Sequence, residues 1–181
     1  MEKQDLKSNR SNRHKGIDPK NPLVAIASPS TKLLDDLKDI KNVLDSFDVK
    51  SETTIVAAHR SPKKMLRYVH QLEAQGVDVV IAAGTGSAHL PGMIASLTAI
   101  PVIGIPLRSN FQDGLDSLLS IIQMPSGVPV GATGINSSHN AGIFACQILS
   151  LKYPYLREKL RSYKEALERE VELEDLKLKN G

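Results

Sequence analysis

Hydrophobic and polar positions follow two rhythms along this chain. Five short runs, Leu23 to Ala27, Thr54 to Ala57, Val77 to Ala82, Val102 to Pro106 and Val128 to Thr133, are apolar for most of their length, the pattern of strands buried on both faces. Between them apolar residues recur every three or four positions, the period of a helix with one buried stripe. Parallel strands need a crossover of a dozen or so residues, so strand, helix, strand is the economical reading. The pattern predicts an α/β fold of three layers, one parallel sheet with helices on both faces.

The helix ends are marked. Ser30 or Thr31 is placed to cap a helix over Lys32 to Ser46, and Ser61 before Pro62 offers a capping hydroxyl with proline at the first helical position. Another helix starts near Ser137 or Ser138 and runs through Leu151. The last, Pro154 to about Leu178, lines up Leu156, Leu160, Tyr163, Leu167 and Val171 on one stripe. No strand follows it, and its length and terminal position lead us to expect packing on a neighbouring subunit. We therefore divide the chain into a leader over residues 1–21, a catalytic α/β domain over 22–152 and a C-terminal helix over 153–181.

Charge changes this picture only at the N-terminus. Residues 1–21 hold six of the 23 Lys/Arg and three of the 20 Asp/Glu, leaving 17 of each sign in the body. A basic leader without hydrophobic periodicity reads as disordered, with too little charge to imply a nucleic-acid partner. No segment approaches the roughly 18 uninterrupted apolar residues of a membrane span, and the leader carries no apolar stretch of a signal peptide, so we expect a cytoplasmic protein without a membrane partner. The single cysteine, Cys146, lies in an apolar helical pattern and reads as a small buried residue.

Candidate chemistry gathers in three segments at strand ends, Ala57-Ala58-His59-Arg60-Ser61-Pro62, Ala83 to Met93, and Gly114 to Pro125, all expected on one rim of the sheet, where such folds bind ligands. His59 can exchange a proton near neutral pH, and the adjacent Arg60 can grip a phosphate and supply a fixed charge beside the imidazole. Ser28-Pro29-Ser30-Thr31 leads into a helix and suits an anion, although simple capping explains it equally well. Gly84-Thr85-Gly86 lets backbone approach a ligand but is neither a dinucleotide fingerprint nor a Walker loop. His89 fits either a catalytic role or a hydrogen-bonded helix start. His14 and His70 read as solvent-facing, and His139 beside Asn140 stands where the last strand's loop could reach the rim. The five histidines share no ligand spacing with Asp, Glu or Cys, and no Gly-x-Ser-x-Gly elbow is present, so neither a metal enzyme nor a serine hydrolase is expected.

Taken together, Ala58-His59-Arg60-Ser61-Pro62, Ser87 to Met93, Pro101-Val102-Ile103-Gly104 and Gly114 to Ser120 with Gln123-Met124-Pro125 resemble the N5-carboxyaminoimidazole ribonucleotide mutase (PurE) family of purine synthesis, over about residues 22–160. Arg60 and His89-Leu90-Pro91-Gly92 resemble its bacterial mutase class. The resemblance implies a flavodoxin-like fold, a homo-octamer with active sites at subunit contacts, and a carboxylate moved from the exocyclic nitrogen to ring carbon 4 without metal or organic cofactor. It implies His59 as general acid and base, His89 with Gly84, Thr85, Gly86 and Leu90 around the CO₂ pocket, and Ser28, Ser30, Thr31, Ala57 and Arg60 on the ribose, phosphate and carboxylate side. Thr31 stands where the family has an aspartate, Ala57 where it has a serine, and Ala83-Gly84-Thr85-Gly86 where Gly-Ala-Gly-Gly is common. These departures keep two other readings open: a carboxylase or decarboxylase of another phosphorylated aromatic heterocycle, and a silent oligomeric paralogue.

Overall fold

The computed structural model describes residues 21–180; apart from Asn21, the expected leader lies outside them. Five parallel strands, β1 (Leu23–Ser28), β2 (Lys50–Ile55), β3 (Val79–Thr85), β4 (Val102–Leu107) and β5 (Gly131–Ala132), form one sheet in the order β2-β1-β3-β4-β5. This is the flavodoxin-like order, with the chain switching direction across the sheet at β1 and β3. The helices are α1 (Lys38–Ser46), α2 (Pro62–Leu72), α3 (His89–Ala95), α4 (Leu115–Ile122), α5 (Ser138–Leu149) and α6 (Tyr155–Asn180).

The central strands divide their side chains by the two-residue period of a pleat. Val24, Ile26, Val79, Ile81, Ile103 and Ile105 point to one face, where they meet Ile40, Val43 and Leu44 of α1, Ala145, Cys146 and Leu149 of α5, and Leu156 of α6. Ala25, Ala27, Val80 and Ala82 point to the other, against Met65, Val69 and Leu72 of α2 and Leu90 and Ile94 of α3. Each fully buried Ile or Leu stabilises the fold by about 1.5–3 kcal/mol. Cys146 belongs to the first of these cores, and burial pushes its thiol up to about 12, so it is an inert packing residue.

Several sequence expectations shift. The second strand is Lys50–Ile55, not Thr54 to Ala57, and none of its residues is fully buried. It pairs only with β1, at the edge of the sheet, where a polar strand is tolerated; the apolar Val56-Ala57-Ala58 leads out of it. The fifth strand shrinks to two residues paired with Ile103 and Gly104, since Pro129 has no N–H to give a ladder. The helix expected from Lys32 begins as two 3₁₀ turns, Thr31–Leu33 and Asp35–Leu37, with Ser30 Oγ accepting from Lys32 N at 3.3 Å. Pro62 opens α2 as expected, whereas the Ser61 hydroxyl makes no capping bond.

The C-terminal helix is also divided. Leu156 is buried, and Leu160 and Tyr163 pack against the chain's own core, while Leu167 and Val171 are 40% and 65% exposed. The first part of the stripe thus covers its own domain and only the second is left uncovered within one chain. Where α5 turns into α6, at the end of the sheet away from the strand-end loops, Asp78 collects Lys152 Nζ at 2.7 Å, Tyr153 Oη at 2.8 Å and the Leu23 N–H at 3.4 Å. The Asp78 hydrogen bond holds Lys152 above its usual range, and burial does the same for Tyr153. Among the described residues no helix is long and apolar enough to cross a membrane.

Candidate active site

The rim is built from the chain outward at β1, β2 and β3. Beyond β2, Val56 N still donates to Ser28 O at 2.8 Å, after which the chain turns and Ser61 N donates to Ala57 O at 2.8 Å. That turn carries His59 and Arg60. The Arg60 guanidinium donates to Pro29 O at 2.9 Å, tying the β2 loop to the β1 loop while the side chain stays exposed.

Beyond β3 the chain reverses in four residues. Gly86 has φ +62° and Ala88 lies in the left-handed region at φ 37°, ψ 40°, and Ala88 N donates to Thr85 O at 3.2 Å. A left-handed alanine carries strain that the surrounding structure must hold in place. Gly84 makes the reversal possible, because a Cβ there would lie 2.7 Å from Ala88 Cβ. The product of the turn is His89 at the first position of α3, facing the β2 loop.

His59 Nε2 and His89 Nδ1 are 3.0 Å apart, with the rings nearly perpendicular at 88° and their centroids 4.8 Å apart. One proton occupies that contact, so the two tautomers are linked: when His59 Nε2 donates, the neutral His89 ring carries its hydrogen on Nε2, and when His89 Nδ1 donates, His59 Nε2 accepts and the neutral His59 ring carries its hydrogen on Nδ1. Both rings are exposed. They stand over a cavity of about 280 Å³ lined by Pro29, Ala58, Ala83, Gly84, Thr85 and the run Ser87–Leu90 as well as themselves. Ordinary ligand cavities measure about 300–1,000 Å³, so this cleft is at the small end of the range and has room for only part of a drug-sized molecule. A larger hollow of about 590 Å³ lies at the β4 and β5 ends, lined by Asp36, Arg108, Ser109, Asn110, Asp113 and Asn136, but it holds no histidine. Among the described residues no three His, Cys, Asp or Glu side chains are grouped to hold a metal ion.

The expected site residues separate into groups. His59, His89, Gly84, Thr85 and Leu90 line the cleft. Gly86 shapes its wall, while Ser30, Thr31, Ala57 and Arg60 stand in the two loops beside it. Ser28 is fully buried and donates to Ser30 O at 2.8 Å, so its hydroxyl braces the loop. His139 is 3.1 Å from Tyr163 Oη on α6 and takes no part in the histidine pair; His70 is exposed, and His14 lies outside the described residues. The third strand-end segment is mostly the helix α4, and its contribution is Ser117, a buried serine 2.8 Å from both Gly86 N and Leu107 O. Sequence reading included Ser117 in a motif without a role, and the only signal was a hydroxyl on an otherwise apolar helix face.

Residues 23–170 match the protein family described as AIR carboxylase. The chain belongs to that family. It is 48% identical over 151 residues to the N5-carboxyaminoimidazole ribonucleotide mutase of Pyrococcus horikoshii, covering 83% of this chain and 85% of that protein. The mutase of Thermotoga maritima is 47% identical over 150 residues, with 83% and 88% covered. The crystal structure of Treponema denticola PurE superposes with a TM-score of 0.81 at 24% identity, covering 87% of this chain and 99% of that one, and shares the fold. The histidine pair and the glycine turn of this AIR carboxylase family member both lie within the matched span.

Proposed function

We propose that this chain is a 5-(carboxyamino)imidazole ribonucleotide mutase of purine biosynthesis, an isomerase acting without metal or organic cofactor. The observation that carries the reading is the His59–His89 pair over a small cleft at the C-terminal ends of the central strands; the near-half identity to mutases over most of their length supports it. His59, protonated, delivers a proton to the exocyclic carbamate nitrogen as the N–CO₂ bond breaks. The freed CO₂ is held in the cleft, ring carbon 4 attacks it, and the new C–C bond forms. His59 then takes the proton from carbon 4, so it ends as it began and the reaction is an isomerisation. His89 shares a proton with His59 and sets its tautomer. Arg60, Ser30, Thr31 and Ala57 border the ribose and phosphate side, and Gly84, Thr85, Gly86 and Leu90 the CO₂ side.

Within one chain the cleft is open, whereas recapture of CO₂ demands that the gas stay beside the ring. We assign closure to neighbouring copies in a homo-octamer, on the family resemblance, with the uncovered Leu167 and Val171 of α6 as part of that contact. The catalytic unit is the α/β domain over residues 22–152, working in the cytoplasm. Thr31 and Ala57, which offer neither a carboxylate nor a serine hydroxyl, favour a second reading, action on another phosphorylated heterocycle, or a third, a silent oligomeric paralogue.

The test is turnover of N5-carboxyaminoimidazole ribonucleotide by wild type and His59→Asn. Wild type is expected to turn over and His59→Asn to lose roughly 100- to 10,000-fold in kcat. Equal rates remove His59 from the chemistry; no turnover by an assembled wild type moves the reading to the second substrate class.

A further inference from the structure

The ladder between β3 and β4 stops one rung short of where its register would carry it. Val80 N donates to Pro101 O at 2.9 Å, and the strands stay in register from Val80↔Val102 to Thr85↔Leu107. Rungs of a parallel pair recur every two residues on each strand, which takes them through residues 82 and 103, then 84 and 105, to Gly86 N and Leu107 O. In that last place stands the Ser117 hydroxyl. Gly86 N donates to Ser117 Oγ at 2.8 Å and Ser117 Oγ donates to Leu107 O at 2.8 Å, so the serine acts as acceptor and donor at once. Its side chain has no exposed surface, and solvent cannot substitute for it.

We infer that Ser117 is a positioning residue: by holding β3 and β4 one hydroxyl apart at Gly86, it sets the height of the Gly86–Ala88 reversal and therefore the 3.0 Å contact of His89 with His59. Without the hydroxyl, Gly86 N–H either closes directly onto Leu107 C=O, pulling the turn toward the sheet, or loses its partner at a part-buried position. Both displace His89, three residues on, from a fixed His59. A shift of that size changes the fit around freed CO₂ more than it changes substrate binding, because the ribose and phosphate contacts belong to the other loops. The kinetic part of this inference rests on the function proposed above; the structural part does not.

The experiment compares wild type with Ser117→Ala and with Ser117→Cys, which keeps the shape but weakens both hydrogen bonds and serves if the alanine variant does not fold. Three quantities are read on the assembled proteins: kcat and KM for N5-carboxyaminoimidazole ribonucleotide, incorporation of ¹³C from added bicarbonate into the product carboxylate, and the imidazole NMR signals of His59 and His89 without substrate. We expect kcat to fall roughly 10- to 100-fold with KM little changed, label incorporation to rise above the wild-type level as CO₂ escapes and exchanges, and the His89 signals to move. Wild-type values for label and His89 signals in a folded variant overturn the inference, even where kcat falls. If wild type itself does not turn over, the proposed function fails, and the His89 signals alone decide the role of Ser117.

Discussion

The two ends of the sheet treat their polar groups in opposite ways. At the floor, Asp78 accepts from an ammonium, a phenol and a backbone N–H at once, and Tyr153 is only 3% exposed; the cluster joins β1, β3 and the α5–α6 turn. At the rim, two imidazoles share one contact, an arginine spends a single bond on the neighbouring loop, and all three side chains stay exposed. The floor groups are consumed in holding the fold together. The rim groups are held mainly by backbone geometry, including a left-handed alanine, so their own polar atoms remain available. Groups engaged in the fold and groups left available thus stand at opposite ends of the same strands, and if the proposed function holds, substitutions at each end should separate stability from activity.

The largest effect is expected at the rim. Gly84→Ala puts a Cβ 2.7 Å from Ala88 Cβ, so the turn must shift and His89 with it. Activity on the proposed substrate should fall roughly 100-fold, while overpacking lowers stability by about 1–3 kcal/mol, both read from kinetics and urea unfolding of the same preparation. Unchanged activity would show that the turn tolerates movement and would blur the contrast between the ends.

At the floor the balance should reverse. Asp78→Ala strands the Tyr153 hydroxyl and the Leu23 N–H, costing about 2–3 kcal/mol, with kcat per folded molecule unaltered. A large fall in kcat would mean that the floor reaches the chemistry and that the two ends are coupled.

The smallest effect lies between them, on α2. The Tyr68 hydroxyl is buried without a hydrogen-bond partner, and burial together with the nearby Glu52 carboxylate pushes it from an ordinary 10.0 up to about 12. The folded state therefore binds this proton more tightly than the unfolded chain. The associated stability is complete below pH 10 and is lost as pH rises through 12. Tyr68→Phe should equal or exceed wild type at pH 7, by up to about 1 kcal/mol, and should flatten the decline between pH 10 and 12 in chemical unfolding. A destabilised Tyr68→Phe would show that the hydroxyl has a partner after all.

Much of the fold was legible because its signals are local. An apolar run such as Val79-Val80-Ile81-Ala82 states its own burial on two faces, and Pro62 marks a helix start whatever surrounds it. The edge strand Lys50–Ile55 escaped for a physical reason: with one neighbour and an exposed face it needs no apolar sequence. Of the site, His59 and His89 could be picked out as titratable residues at strand ends. Their contact could not, since it joins positions 30 residues apart in the chain and depends on the turn at Ala88. That the Ser28 hydroxyl donates to Ser30 O was likewise not legible, since a serine before a helix gives no sign of which way its hydroxyl turns.

What the sequence determined by itself was the order of strands and helices, the parallel three-layer architecture and the presence of reactive side chains where strands end, because periodicity and end signals act over a few adjacent residues. Tertiary structure decided which of those side chains meet, which hydroxyls are spent inside the protein, and that a serine from α4 stands between two strands where a backbone rung would otherwise close. Those outcomes depend on distances between segments far apart in the chain, and only the packed sheet and its covering helices set them.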